Sequence, residues 1–232
     1  YKLIEKRKSE MPSKIQAEFT ITKVLVKNLN KKREGIPDEV LTNDWQEILD
    51  DSEISIVIEL MGGIEPARTY ILEALKAGKN VVTANKDLLA EHGKELMDAA
   101  EEYHKDLYFE AAVGGGIPII RPLKECLAGN NITEVMGIVN GTTNYILTKM
   151  TQEGMDFGEA LKQAQELGFA EADPTADVEG LDAGRKMAIL ASIAFHSRVT
   201  FDDVEIKGIS DITARDIKYA GEFGYVLKLL GV

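Results

Sequence analysis

Apolar positions along the chain fall into short continuous runs separated by segments with helical spacing. Residues 19–26, FTITKVLV, are rich in β-branched side chains and predict a strand, followed by the polar turn KNLNKKREGIPDE and a short helix over 45–49. ISIVIEL (54–60) is almost wholly apolar, the pattern of a strand buried on both faces of a parallel sheet, and it runs into Met61, Gly62 and Gly63. Pro66 suits a first helical turn, Gly78 suits the stop of that helix, and NVVTA (80–84) supplies the next strand. The unit then repeats: Leu89, Leu96, Ala100 and Tyr103 recur at helical spacing, LYFEAAV (107–113) reads as a strand, and GGG leads to a helix opening at Pro118 and closing before Gly129. Strands alternating with helices imply parallel pairing through right-handed crossovers.

The pattern changes after about residue 131. ITEVMGIVN reads as a strand, GTTNYILTKM as a helix capped by threonine, and EALKQAQEL as a helix ending before Gly168. Helices over 181–195 and 213–221 and a strand YVLKLL (225–230) complete the chain. The predicted fold class is therefore α/β: a Rossmann-like parallel-sheet domain over residues 1–131, then an α/β domain of mixed sheet plus helices over 132–232. No linker rich in Pro, Gly or Ser separates them, so close packing of the two is expected. Residues 1–9 read as the end of a helix stopping before Pro12, so the strand and glycine turn that open a doubly wound domain are expected upstream of Tyr1.

Composition narrows the classes. With 44% hydrophobic residues the chain can build cores, and a formal charge of −12 argues against nucleic acid or an anionic membrane as partner. A single cysteine, Cys126, forms no internal disulfide, and no apolar run approaches the ~18 residues that span a bilayer. A reducing, cytoplasmic setting is the expectation, with Cys126 as a small core residue on an apolar helix.

In open parallel sheets ligands sit beyond the carboxyl ends of the strands, which directs attention to loops 61–65, 84–87 and 114–118. Gly62 and Gly63 either let a backbone approach a ligand closely or simply turn the chain. The triple glycine at 114–116 completes neither dinucleotide nor P-loop spacing. After the strand ending at Val26, Lys27, with Lys31, Lys32 and Arg33 beyond, either favours a ribose 2′-phosphate, hence NADP, or forms a solvated charged turn. Lys86 falls at a strand's carboxyl end, facing the crevice or merely starting a surface helix. The segment GFAEADPTADVEGLDAGRK (168–186) gathers five carboxylates, and its Asp182 and Lys186 are i and i+4 on one helical face. A lysine on a mostly apolar helix is either half of an ordinary ion pair or a positioned acid/base group. Counted from Asp173, the positions required for a calcium loop hold Thr175, Val178 and Gly184, which excludes an EF-type site. His92, His104 and His196 lack zinc spacing and are expected at the surface or in packing.

Taken in order, VVTANKDLLA, FEAAVGGGIPIIRPL, GIVNGTTNYILTKM and the segment from Ala164 to Lys186 resemble the homoserine dehydrogenase family across essentially the whole chain. That resemblance implies NADP- or NAD-dependent interconversion of L-aspartate 4-semialdehyde and L-homoserine, a step toward threonine and methionine. It implies Lys186 as proton donor and acceptor, Lys86 on cofactor and substrate, Glu171 and Asp182 on the substrate's amino end, Asp177 in support and Gly168 beside them. It further implies a structural sodium or potassium ion at Glu110 and the carbonyls of Val113, Gly115 and Ile117, and a homodimer or higher homo-oligomer built on the second domain. The family's N-terminal glycine fingerprint and the end of its catalytic domain are missing. A chain truly this short would instead suit a non-catalytic binding or assembly module. A protonated lysine serves the reductive direction and a neutral one the oxidative direction, so the oxidative rate is expected to climb with pH.

Overall fold

The computed structural model describes all 232 residues. Two short helices open the chain, α1 (Lys2–Arg7) and α2 (Met11–Ile15). The expected stop before Pro12 is a brief interruption: Pro12 occupies the first turn of α2, where its missing N–H has no partner to lose. Next come β1 (Val24–Leu25), β2 (Leu41–Thr42) and α3 (Gln46–Leu49), and then the repeating unit β3 (Ile56–Glu59), α4 (Ala67–Lys76), β4 (Asn80–Thr83), α5 (Lys86–Glu102) and β5 (Leu107–Tyr108). The second half is helical: α6 (Gly141–Glu153), α7 (Phe157–Glu166), α8 (Thr175–Val178), α9 (Leu181–Ala194) and α10 (Ala214–Glu222).

All paired strands are parallel, as the alternating pattern requires. β1 pairs with β2, placing Val24 opposite Leu41, and β3, β4 and β5 form a separate sheet in chain order, with Ile56 opposite Asn80 and Val81 opposite Leu107. One core cluster joins this sheet to its helices, with Ile71 and Leu75 of α4, Val81 of β4 and Leu88 and Leu96 of α5 fully buried. Met187, Ile189 and Leu190 of α9 belong to the same cluster, so α9 is anchored in the parallel-sheet unit. A second cluster unites α6, α7, α8 and α10 through Ile146, Leu147, Met150, Ala164, Val178 and Ile217.

Several expectations are corrected. Within these 232 residues β3 is buried on one face: Val57 and Glu59 turn toward the helices, whereas Ile56 and Ile58 are 36% and 46% exposed. The strand predicted over 19–26 pairs only at Val24–Leu25, and LYFEAAV leaves the sheet after Tyr108 to form a 3-10 turn over Glu110–Ala112. The segments predicted as strands around 132–140 and 225–230 share a single antiparallel bridge, Gly137 to Gly231. Extended β-rich segments become strands only where a neighbour supplies a ladder. The helix opening at Pro118 starts at Ile120 and includes a π-turn over Pro122–Cys126, and Cys126 is exposed rather than a core residue. The cap of α6 is Asn140, whose Oδ1 accepts from the Thr143 N–H at 2.8 Å, not a threonine.

Gly208 shows how the acidic segment is held. A β-carbon there would lie 2.6 Å from the Val178 carbonyl oxygen and 2.7 Å from Glu179 Cα, both backbone atoms of the turn that leads into α9. Gly208→Ala should cost about 2 kcal/mol because the backbone itself must move. Thermal denaturation checks this, and an unchanged melting temperature would show that the strand of chain around Gly208 yields freely.

Candidate active site

The site is built where two helices begin. The Asn85 side chain caps α5 by accepting from the Leu88 N–H at 3.2 Å, which places Lys86 at the first helical position. Gly180, in the left-handed conformation at φ 80°, turns the chain into α9, so that Asp182 lies in its first turn and Lys186 one turn later. α5 and α9 pack together, and Arg185 Nε lies 3.0 Å from Asp87 Oδ1 across them. Lys86 and Asp182 are thereby presented by neighbouring helix starts.

Asp182 is the centre of the arrangement. Its side chain is 9% exposed, Lys186 Nζ donates to Oδ2 at 2.6 Å, and Lys86 Nζ lies 3.3 Å from Oδ1. Lys186 also donates to the Val139 carbonyl at 2.7 Å. An ammonium has three N–H groups, so one of Lys186's remains uncommitted. Asn140 Nδ2 donates to Asp182 Oδ2 at 2.9 Å and to Asp177 Oδ1 at 2.7 Å, linking the two carboxylates through one amide. Burial pushes the Asp182 carboxyl upward, but the hydrogen bonds from Lys186 and Asn140 and the charges of both lysines outweigh it and hold the group below the usual carboxylate range.

The five acids of the opening segment therefore divide. Asp177 and Asp182 turn inward to Asn140. Asp173 caps its own turn, accepting from the Thr175 hydroxyl and N–H, and Glu179 accepts from the Ser210 hydroxyl at 2.5 Å. Glu171 is exposed, and its carboxylate makes no hydrogen bond or ion pair with the protein. Gly168 closes α7 at φ 78°, outside the Asp182 cluster, and the following Phe169 carbonyl accepts from Thr142 of α6 at 2.7 Å. The structure thus brings Lys86 and Lys186 into direct contact with Asp182, joins Asp177 to them through Asn140, and leaves Glu171 and Gly168 on the adjoining loop.

The candidate cofactor residues lie at strand ends. Lys27 is exposed just beyond β1, and Gly62 and Gly63, at φ 73° and 71°, form an open turn beyond β3. Positive φ at both explains glycine there. The N–H groups of Gly63 and Ile64 donate to no protein acceptor, so the turn offers donors suited to an anionic or amide oxygen. In the basic run, Arg33 folds back to donate to the carbonyls of Asn28 and Lys31.

Glu110 accepts backbone N–H groups from Ile119 at 2.6 Å, Ile120 at 2.9 Å and Arg121 at 2.8 Å. Burial pushes its carboxyl upward, yet those three bonds more than compensate and hold it low. The carbonyls of Val113, Gly115 and Ile117 accept no hydrogen bond.

Sequence reasoning did not reach Asn140, Glu59, Thr83 or Asn85. Asn140 carried a signal, since asparagine before a helix is a preferred cap. Glu59 carried one too, as a lone acid inside an apolar strand.

The fold and this cluster define a Rossmann-like α/β protein whose lysine–carboxylate centre joins the parallel-sheet unit to the helical one. Residues 1–110 match the family model described as homoserine dehydrogenase, NAD binding domain, and residues 118–232 match the homoserine dehydrogenase model. The chain belongs to the homoserine dehydrogenase family. It is 53% identical to the homoserine dehydrogenase of Bacillus subtilis over all 232 residues, covering 54% of that protein. A crystal structure of the Thiobacillus denitrificans homoserine dehydrogenase superposes with TM-score 0.92 at 45% identity, over 99% of this chain and 53% of that one. A hyperthermophilic archaeal homoserine dehydrogenase in complex with NADPH matches with TM-score 0.66 at 35% identity, over 74% of this chain and 53% of that one. The chain spans about half the length of the curated relatives it matches. No helix is long and apolar enough to cross a membrane.

Because the depressed Asp182 carboxyl is ionised in the fold at pH values where the unfolded chain binds a proton, its contribution is complete above the ordinary carboxyl range, about 3.9. It is lost as pH falls through the lower folded value. Asp182→Asn should therefore be less stable at neutral pH by about 3 kcal/mol, leaving Lys86 and Lys186 without their anion, and should lose less further stability on acidification. Calorimetry across acid pH checks both, and parallel wild-type and variant curves would contradict the role.

Proposed function

We propose that the protein of which this chain forms part is an NAD(P)-dependent homoserine dehydrogenase, interconverting L-aspartate 4-semialdehyde and L-homoserine. The observation that carries the reading is a single buried carboxylate, Asp182, holding two ammonium groups from neighbouring helices, with one N–H of Lys186 uncommitted. When bound, the nicotinamide cofactor supplies or removes the hydride. Gly63 and Ile64 of the turn beyond β3, Lys27 beyond β1 and Lys86 are the residues to hold it, Gly62 and Gly63 supplying the open backbone. The NADPH complex of a relative supports a nicotinamide ligand, and the exposed Lys27 favours the 2′-phosphate of NADP.

In the reductive direction, Lys186 gives its free proton to the oxygen that gains charge at the former carbonyl carbon, and solvent replaces that proton. Asp182 keeps the lysine oriented and charged meanwhile. In the oxidative direction a neutral Lys186 accepts the hydroxyl proton. Lys86 shares Asp182 and would contact both cofactor and substrate. Glu171, with its carboxylate uncommitted, grips the substrate ammonium together with Asp182, while Asp177 acts through Asn140 and Gly168 shapes the loop. Glu110 and the carbonyls of Val113, Gly115 and Ile117 would hold a sodium or potassium ion that braces the turn before Ile120. The intact enzyme acts in the cytoplasm, within threonine and methionine biosynthesis, as a homodimer or larger homo-oligomer built on the second domain, and takes neither nucleic acid nor membrane as partner.

Two substitutions in the intact protein test this. Lys186→Ala should lower kcat for homoserine oxidation about a thousandfold while leaving the Kd for NADPH unchanged. Wild-type turnover in that variant removes Lys186 from the chemistry. Glu171→Gln should raise the homoserine KM about tenfold with little effect on kcat, since an amide replaces a charge-assisted contact only in part. An unchanged KM removes Glu171 from substrate binding. A wild-type protein that binds cofactor but turns over nothing would favour a binding or assembly module instead.

A further inference from the structure

Glu59 is a buried acid with no lysine or arginine partner. It ends β3 at 5% exposure, and its side-chain bonds run to the turn beyond β3 and to the end of β4. Its Oε1 accepts the N–H groups of Met61 at 2.6 Å and Gly62 at 3.2 Å. Its Oε2 accepts the hydroxyl of Thr83, the last residue of β4, at 2.6 Å. The same Thr83 oxygen accepts the Asn85 N–H at 3.0 Å, and Asn85 Nδ2 donates to the Gly63 carbonyl at 2.7 Å while its Oδ1 caps α5 just ahead of Lys86. Glu59, Thr83 and Asn85 thus close a ring of side-chain bonds beneath the glycine turn, and each is buried.

The ring decides which backbone donors the turn can offer. Met61 and Gly62 have their N–H groups drawn down to Glu59, whereas those of Gly63 and Ile64 are free. A β-carbon at Gly62 or Gly63 would meet nothing within 4 Å, so the space beside the turn is open. We infer that Glu59 is a positioning residue for the nicotinamide cofactor: through Thr83 and Asn85 it fixes the Met61–Gly63 turn so that the free donors face the ligand. This rests on the functional reading above. A buried acid serves here because one carboxylate accepts three hydrogen bonds, which an amide of the same shape cannot do without turning a donor toward Thr83.

The test is fluorescence titration of NADPH into the intact enzyme, together with homoserine KM and melting temperature. Glu59→Gln should raise the NADPH Kd about tenfold, with homoserine KM within about twofold of wild type. Thr83→Val should shift Kd the same way, and Thr83→Ser, which keeps the hydroxyl, should restore it, so the inference stays testable even if Glu59→Gln fails to fold. Folded Glu59→Gln and Thr83→Val variants with wild-type Kd overturn the role. So does a loss of cofactor affinity matched by equal losses in homoserine KM and melting temperature, which marks general damage. A wild-type enzyme that binds no NADPH overturns the functional reading itself.

Discussion

The site depends on one carboxylate doing for two cations what water would otherwise do. Unit charges held 4 Å apart repel by about 4 kcal/mol near a protein surface, so two lysines converge on one spot only if an anion lies between them. Asp182 is that anion, one oxygen toward Lys86 and the other toward Lys186. It has to be buried to exclude competing water, and burial alone would favour its neutral form. The Asn140 amide and the lysine ammoniums reverse that preference. Asn140 also spares Asp182 and Asp177 from facing each other bare, giving one N–H to each. Since the same asparagine caps α6, the geometry of the acid pair is tied to a helix end rather than to a flexible side chain.

Much of this was readable in the sequence, for reasons that differ by element. Helix α9 and the Asp182–Lys186 pair were legible because both follow from the helical period, a local property. So were the centres of β3 and β4, whose apolar runs are short and bounded by glycine or polar turns. Strand ends were not legible, since they depend on what lies alongside: FTITKVLV and YVLKLL have β-prone composition but little or no ladder. The contact between Lys86 and Asp182 joins residues 96 positions apart through helix packing, which no period encodes. Cys126 misled because its π-turn leaves it at the surface.

Polar residues in apolar surroundings carry a signal of their own. Glu59 and Thr83 end β3 and β4 on the side of each strand that faces the core, and Asn85, buried as well, caps the helix that follows β4. Burying them has a cost that only complete hydrogen bonding offsets. In this chain each finds partners, and the partners belong to the loops beyond the sheet. The apolar core and the crevice are therefore continuous, with the last layer of the core polar.

That continuity explains how the site keeps its shape while breaking a local rule. A lysine at the first position of a helix sits at the positive end of the macrodipole, a placement that costs about 0.3–1 kcal/mol, and Lys86 occupies it on α5. Asp182 in the first turn of α9 occupies the favourable place for an acid and lends its charge across to Lys86, so the neighbouring helix offsets the unfavourable start of the other. The arrangement holds only if the two helix starts keep their separation. Met187, Ile189 and Leu190 secure this by burying α9 in the same cluster as Leu88 and Leu96 of α5. Apolar packing thus sets the distance at which the charges meet, and a strained pair of cations is maintained by residues that carry no charge at all.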